Sequence, residues 1–397
     1  MSYPIRLLVV TKSTGGVASY VRALVKGLDQ EKFLITVACL SENSKEFSAE
    51  LSQNYGVQSF CLEMNRYQVN PVTDLRVMFK LFAHIRKNRY DLIHAHASKP
   101  GFLTRMAAVW TSIPVLYSPH NFAFHEGTKP YIALVVALLE RLAALFTTRI
   151  IVVSEHEREL ALQYKVGNPS LYSVVRTGIE LDRFKLDVDK DAVKQSIGIS
   201  SDSMVVGVVG RLASPKAPLV FLRVAEKVHK MLPNVHFVWV GSGPLLVEAE
   251  RFTADLDLKE VVHWLGERTD VPSLLRVFNC LVLPSRWEGF PLVVLEAFAS
   301  EVPVVATENL GTREIIETGL NGWLSPFEEI DTMSEQILDM LLDLSKAKKI
   351  CESGKKQVEE VFTFEKMISS IEEIYRTEAL DVVETGLYSK AGEDTLN

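Results

Sequence analysis

The sequence predicts an α/β protein made of two doubly wound, Rossmann-like domains, each on a parallel sheet. Three observations predict it. Short apolar runs rich in Val, Ile and Leu alternate with helix-periodic stretches almost throughout, which is the pattern of repeated βα units. That alternation breaks once, over residues 177–203, where the chain turns polar and rich in Asp and Lys before a second strand series begins. The length of 397 residues accommodates two such domains. We expect the first over 1–180 and the second over 181–362, with a disordered polar tail over 379–397.

In the first domain, strands are expected at Ile5–Val10, Leu34–Cys39, Val57–Leu62, Leu92–Ala95, Val115–Ser118, Ile150–Val153 and Leu171–Val175. The opening residues hold too short an apolar core for a signal peptide and read as the first strand. That strand leads through Lys12-Ser-Thr-Gly15-Gly16 into a helical stretch. A glycine pair there can cradle phosphate or simply turn the chain. It does not fit Gly-x-Gly-x-x-Gly, which argues against a dinucleotide dehydrogenase.

Residues 76–89 form an amphipathic helix with a basic face, either solvated or laid on a membrane surface. The strand end at Asp91–His96 puts His94 and His96 on one face. Together with His120 and His125 they give no ligand set of recognised spacing, so no metal is predicted. The most apolar stretch, Tyr131–Phe146, is interrupted by Glu140 and Arg141 and is too short to span a bilayer. With Phe122 and Phe124 it is either core or the lining of a groove for a lipid acceptor.

In the second domain, strands are expected at Met204–Val209, His236–Val240, Val261–Trp264, Cys280–Leu283, Val302–Val305 and Gly322–Leu324. The first ends in Gly210-Arg211, with Lys216 close behind. A guanidinium fork and an ammonium are what a departing diphosphate needs to neutralise its charge. Gly241-Ser-Gly243 makes a tight turn after the next strand, and 266–270 is expected near a nucleotide base.

Residues 281–299 are central: an apolar strand, a loop through Glu288, Gly289 and Phe290, then Pro291 where its fixed φ suits the first position of a helix. A glycine beside the free amides of a helix start makes an anion site suited to phosphate. Glu296 is the lone carboxylate of an otherwise apolar helix and needs a hydrogen-bonding partner, which a ribose diol would supply. Asp187-x-Asp189 and Asp255-x-Asp257 follow no apolar strand end and read as surface acids.

Charge is divided unevenly. Residues 1–180 carry 20 Lys and Arg against 14 Asp and Glu, and the remainder 23 against 36. The net charge of -7 excludes a general nucleic-acid binder, while the basic first half suits an anionic membrane surface or a lipid phosphate. Cys39, Cys61, Cys280 and Cys351 have no paired spacing and are expected as reduced thiols, and a cytoplasmic location follows, with peripheral contact at the inner face of the membrane open.

Ser285-x-x-Glu288-Gly289-Phe290-Pro291-x-x-x-x-Glu296-Ala297 resembles the signature of retaining glycosyltransferases of the GT-B fold, family four, also called group 1. Gly210-Arg211 with Lys216, Asp91-x-x-His-x-His, Tyr117-Ser-Pro-His120-Asn and Arg176-Thr-Gly-Ile179 resemble further segments of that family, in its order. Arg176-Thr-Gly departs from the family's commoner Pro-Asn-Gly.

The resemblance implies two domains facing across a cleft, with a last helix over 363–378 packed back on the first. It implies transfer of a sugar from a nucleotide sugar, UDP-linked, to a lipid-linked or saccharide acceptor, with retention and with no cofactor or metal. Surface polysaccharide assembly is the expected setting. Glu288 and His120 would hold the sugar and Glu296 the ribose. Arg211, Lys216, Gly15-Gly16, Gly210, Gly241, Gly243 and the helix start at Gly289, Phe290, Pro291 and Leu292 would face the diphosphate. In such enzymes the acceptor hydroxyl attacks on the leaving-group face and a phosphate oxygen takes its proton. A GT-B nucleotide-sugar epimerase and an inactive nucleotide-sugar-binding protein stay open as alternatives.

Overall fold

The computed structural model of the chain describes residues 4–42, 44–65, 70–124 and 127–384, with side chains to 379. His125 and residues 385–397 of the expected tail lie outside the described residues. The chain divides into two units. The first takes the chain up to Arg176 and resumes at Glu365, and the second spans Thr177–Phe364.

The first unit holds strands β1 (Ile5–Thr11), β2 (Phe33–Cys39), β3 (Gln58–Cys61), β4 (Leu92–His96), β5 (Val115–Ser118), β6 (Arg149–Val152) and β7 (Tyr172–Val174). They pair in the order β3-β2-β1-β4-β5-β6-β7, every neighbour parallel. Crossovers are helical: α1 (Gly15–Gly27), α2 (Lys45–Tyr55), α3 (Pro71–Asn88), α4 (Ser98–Ala108), α5 (Pro130–Ala144) and α6 (Glu155–Gln163). Leu7 to Val10 are fully buried, as a central parallel strand covered by helices on both faces requires.

Helix α3 starts where Asn70 accepts a hydrogen bond from the Thr73 amide and Pro71 takes the first position. Its inward stripe is Val77, Leu81 and Ile85, at helical spacing. Helix α5 inverts the usual pattern. Ala133, Ala137, Ala143 and Ala144 face the core together with Glu140, while the large apolar residues face out. Of the stretch expected as core or groove lining, Phe122, Phe124 and the alanines are core, and the large apolar residues of α5 are not.

The Glu140 carboxylate accepts from Arg105 Nη2 at 2.7 Å and from the Tyr117 hydroxyl at 3.1 Å, and the Arg105 guanidinium lies 3.8 Å over the Tyr117 ring. All three side chains are buried, so losing one would strand a charge or a polar group in the interior.

The second unit holds β8 (Met204–Val209), β9 (Val235–Val240), β10 (Val262–Gly266), β11 (Cys280–Leu283), β12 (Val304–Thr307) and β13 (Trp323–Ser325), in the order β10-β9-β8-β11-β12-β13, again parallel. Its helices are α7 (Lys190–Ser196), α8 (Pro218–Met231), α9 (Leu246–Asp255), α10 (Val271–Leu275), α11 (Leu292–Ala299), α12 (Leu310–Arg313), α13 (Ile330–Leu342) and α14 (Leu344–Val361). One apolar cluster gathers on Phe278 and Phe298 and another on Phe221 and Trp239. All thirteen predicted strands are present, and no end moves by more than two residues. The chain enters and leaves this unit side by side: the Ile179 amide donates to Phe362 O at 2.9 Å, and Phe364 N to Ile179 O at 3.0 Å.

The last helix, Phe364–Glu384, belongs with the first unit from Glu365 onward. Its Tyr375 hydroxyl lies 2.6 Å from His94 Nδ1, and Glu378 pairs with Arg149 at 2.6 Å. Helical backbone continues six residues past 378, so the chain does not become irregular at 379 as expected. Among the described residues no helix is long and apolar enough to cross a membrane. All four cysteines are free thiols.

Candidate functional site

In a doubly wound sheet, ligands lie outside the carboxyl ends of the strands where the strand order reverses. That point falls between β1 and β4 in the first sheet and between β8 and β11 in the second. The expected site residues sit on the loops and helices that follow β1 and β5 in the first sheet and β8, β9 and β11 in the second. Each unit holds its own cluster.

In the second unit, Gly210 and Arg211 follow β8, a 3₁₀ turn over Ser214–Lys216 comes next, and Ala217 turns the chain into α8 with a φ of 47°. Lys216 Nζ reaches Glu288 Oε1 at 2.5 Å, with both side chains mostly buried. A Cβ on Gly210 would stand 3.4 Å from Lys216 Cε, so the lysine stem lies across that glycine. The Arg286 amide donates to Pro215 O at 2.8 Å and ties the two loops together. The neighbouring loop is close too: Gly241, at a φ of 128°, packs so that a Cβ would lie 2.2 Å from Gly210 O, and one on Gly243 would lie 2.2 Å from Leu212 O. Only hydrogen fits at either position.

Helix α11 begins at Leu292, and Pro291 is its extended N-cap, not its first helical residue as expected. The reason is the backbone: a ψ of 93° at Pro291 puts its carbonyl outside the helix, although that oxygen still accepts from the Val294 amide at 3.0 Å. Phe290 is half-buried against Phe362, with ring centres 5.8 Å apart. The helix is buried apart from Leu292 and Glu296. Burial pushes the Glu296 carboxyl up, with Arg183 opposing more weakly. Among the described residues no hydrogen-bond donor meets the Glu296 carboxylate, and Arg211 is exposed and joins no ion pair. These two and the Lys216–Glu288 pair supply a carboxylate acceptor and two cations near a helix start, a set able to hold a diol and a diphosphate.

In the first unit, Gly15 and Gly16 are exposed at the start of α1, with open space around both. His120 follows β5. Its Nε2 lies 2.9 Å from His96 Nδ1, and the Tyr20 ring stands edge-on 4.6 Å away. His120 and Asn121 have φ of 52° and 86°, two successive non-glycine residues in the left-handed region. Such conformations cost about 1–3 kcal/mol each and persist where neighbours impose them. Glu157 imposes this one, accepting from the Asn121 amide at 2.7 Å and from the Val153 amide at 3.0 Å. Burial holds His94 and His120 down to about 3 and His96 well below its ordinary value, so all three rings are neutral.

Four supporting residues escaped the sequence reading. Glu157 carried a signal, since Ser154-x-x-Glu157 has the form of a capping box, and the Ser154 hydroxyl does accept from the Glu157 amide at 3.0 Å. Asn309 and Thr312 form a true capping box at α12, and Asn309 Nδ2 also donates to Ser285 O at 3.3 Å. Gly311 lies directly beneath the Glu288 loop: a Cβ there would be 2.6 Å from Glu288 O and 2.7 Å from Gly289 O. No local pattern announces that contact.

Two family models match the chain, one described as glycosyl transferases group 1 over residues 189–357 and one as glycosyltransferase family 4 over 14–183. A UDP-Gal:α-D-GlcNAc-diphosphoundecaprenol α-1,3-galactosyltransferase of Escherichia coli is 29% identical over 355 residues, covering 88% of this chain and 90% of its own. The capsular polysaccharide biosynthesis glycosyltransferase CapM of Staphylococcus aureus is 25% identical over 315 residues, 77% of this chain and 81% of its own. The crystal structure of Anabaena HepE with UDP and glucose superposes with a TM-score of 0.82 at 22% identity, over 94% of this chain and all of the other.

Proposed function

The chain belongs to the group 1, family 4 glycosyltransferases and has the GT-B fold, and on that premise we propose that it moves a hexose or N-acetylhexosamine from a UDP-sugar to a lipid-linked saccharide, with retention at the anomeric carbon. The observation that carries the reading is the Lys216–Glu288 pair lying across Gly210, with no hydrogen-bond donor meeting the Glu296 carboxylate on the adjoining helix among the described residues. In this reading Glu296 accepts from the ribose hydroxyls. Arg211, Lys216 and the first amides of α11 neutralise the departing diphosphate, so the reading assigns no metal to that task. Glu288 and His120 contact the sugar. The acceptor hydroxyl attacks on the face the diphosphate leaves, and a diphosphate oxygen takes its proton.

The E. coli relative, named for a UDP-galactose donor and a diphosphoundecaprenol-linked acceptor, supports the choice of donor nucleotide and acceptor class. Acting on such an acceptor, the enzyme would work at the inner membrane face in surface polysaccharide assembly, a reading that the relative's diphosphoundecaprenol-linked acceptor supports.

The test is thermal stabilisation of purified protein by UDP and a panel of UDP-sugars with chelator present, followed by transfer to a short-chain lipid-diphosphate saccharide. Stabilisation by UDP and one UDP-sugar, with an anomeric proton signal of the donor's configuration in the product, is expected. Stabilisation that appears only when a divalent cation is restored would remove the metal-free assignment.

A further inference from the structure

Helices α3, α4 and α5 lie side by side on one face of the first sheet. The register fixes this: Val10 pairs with Ala95, Ala95 with Tyr117 and Tyr117 with Ile150, so these residues share the face the three helices cover. The outward surface of this layer has an unusual composition. On α5, Leu134, Val135, Leu138, Leu139 and Leu142 are all between 44% and 56% exposed, and Leu145 just beyond is 75% exposed. Leu75 and Phe79 of α3 are half exposed, and Trp110 after α4 is 74% exposed. Isolated exposed apolar residues are ordinary, but a face of this extent marks an interaction site.

The charges on the layer identify the partner. The three helices contain only two carboxylates, Asp74 and Glu140, and both are buried against cations of α4: Lys99 meets Asp74 at 2.8 Å, and Arg105 meets Glu140 at 2.7 Å. Arg76, Lys80, Arg86 and Lys87 of α3 and Lys129 before α5 are exposed. The outward side is thus apolar and cationic with no acid among its helical residues. A two-fold contact with a second copy would set these cations against their own kind with no carboxylate to receive them. An anionic bilayer satisfies both features, because apolar side chains enter the acyl boundary while lysine and arginine meet headgroup phosphates.

We propose that the outer face of α3, α4 and α5 is a docking surface for an anionic lipid bilayer, with α5 lying in the interface and the α3 cations at headgroup level. This deepens the reading above, whose lipid-linked acceptor would be presented at that surface, but it stands on side chains that take no part in donor binding.

The test is co-sedimentation of the full chain with phosphatidylcholine vesicles, with and without phosphatidylglycerol, at low and high salt, alongside sedimentation velocity and UDP thermal shift. The wild type is expected to bind the mixed vesicles, less at high salt. Leu138→Glu with Leu142→Glu should lose at least about tenfold in vesicle affinity, and Arg76→Glu with Lys80→Glu should erase the preference for mixed vesicles. Both variants should keep the UDP shift, which shows that they fold. Failure of the wild type to bind either vesicle would overturn the surface. So would a wild-type dimer that Leu138→Glu with Leu142→Glu turns into monomer without changing vesicle binding. Vesicle binding without any UDP shift would count against the transfer reading alone.

Discussion

Lys216 and Glu288 lie 2.5 Å apart as an ion pair, so a diphosphate arriving there must compete for the ammonium or share it. We expect Lys216→Ala to lower turnover by about a hundredfold, since it removes the charge that the proposed function assigns to the leaving group, and initial rates at saturating donor would show it. Glu296→Gln is a milder change that keeps the shape and loses the anionic acceptor. It should weaken UDP binding by roughly tenfold with little change in turnover, as titration calorimetry would report. The neutral histidines make a further expectation about pH. His94 and His120, held down to about 3 against an ordinary 6.5, bind protons on unfolding, so stability is full above 6.5 and falls as pH drops. Glu157, pushed up to about 7 by burial, runs the other way over the same interval and offsets one of them. The remaining loss between pH 6.5 and 5 should be about 2 kcal/mol or more, measurable by urea unfolding at the two values. At this scale the sequence was readable where a motif names the residue, as at Lys216, which the structure sets against Glu288. It was silent where a residue works by touching another, as Glu157 holds the turn at His120.

The loop from Pro284 to Pro291 is shaped by an element that looks unremarkable in the sequence, the single turn of α12. Its Asn309 and the Thr307 hydroxyl both reach Ser285 O, and Gly311 supports the carbonyls of Glu288 and Gly289. Gly311→Ala must push a methyl into backbone oxygens under 3 Å away, so the loop has to move. We expect donor affinity to fall at least about tenfold while the unit stays folded, losing only about 1–3 kcal/mol, a contrast that thermal melts with and without UDP would reveal. Strands were legible as elements because buried parallel strands are continuous apolar runs, and β5, β8 and β11 fall where the sequence puts them to the residue. Helix α5 was not, because its composition says apolar without saying which side faces in. The alanine stripe and Glu140 decide that, and Glu140 is inward only because Arg105, on another helix, is there to receive it.

On the scale of the molecule, the first unit is discontinuous: its last helix arrives only after the whole second unit has been made. That helix is part of the interior, since Tyr375 is buried against His94 and Phe33 and Glu378 receives Arg149. Truncation after Phe364, which spares the second unit, should therefore damage the unit it does not adjoin in sequence. Hydrogen exchange is expected to show β1 and β4 losing protection while β8 and β11 keep theirs. The adjacency of Ile179 and Thr363, where the chain enters and leaves the second unit, has a consequence for biosynthesis. Emerging from the ribosome at about 5–20 residues per second, the first sheet waits roughly ten to forty seconds for its closing helix, with His94 and the surface under Tyr375 uncovered. The second unit, made in one stretch, is fully synthesised before that helix emerges, and its last bonds, which join Phe362 and Phe364 to Ile179, fix the residue from which the helix starts.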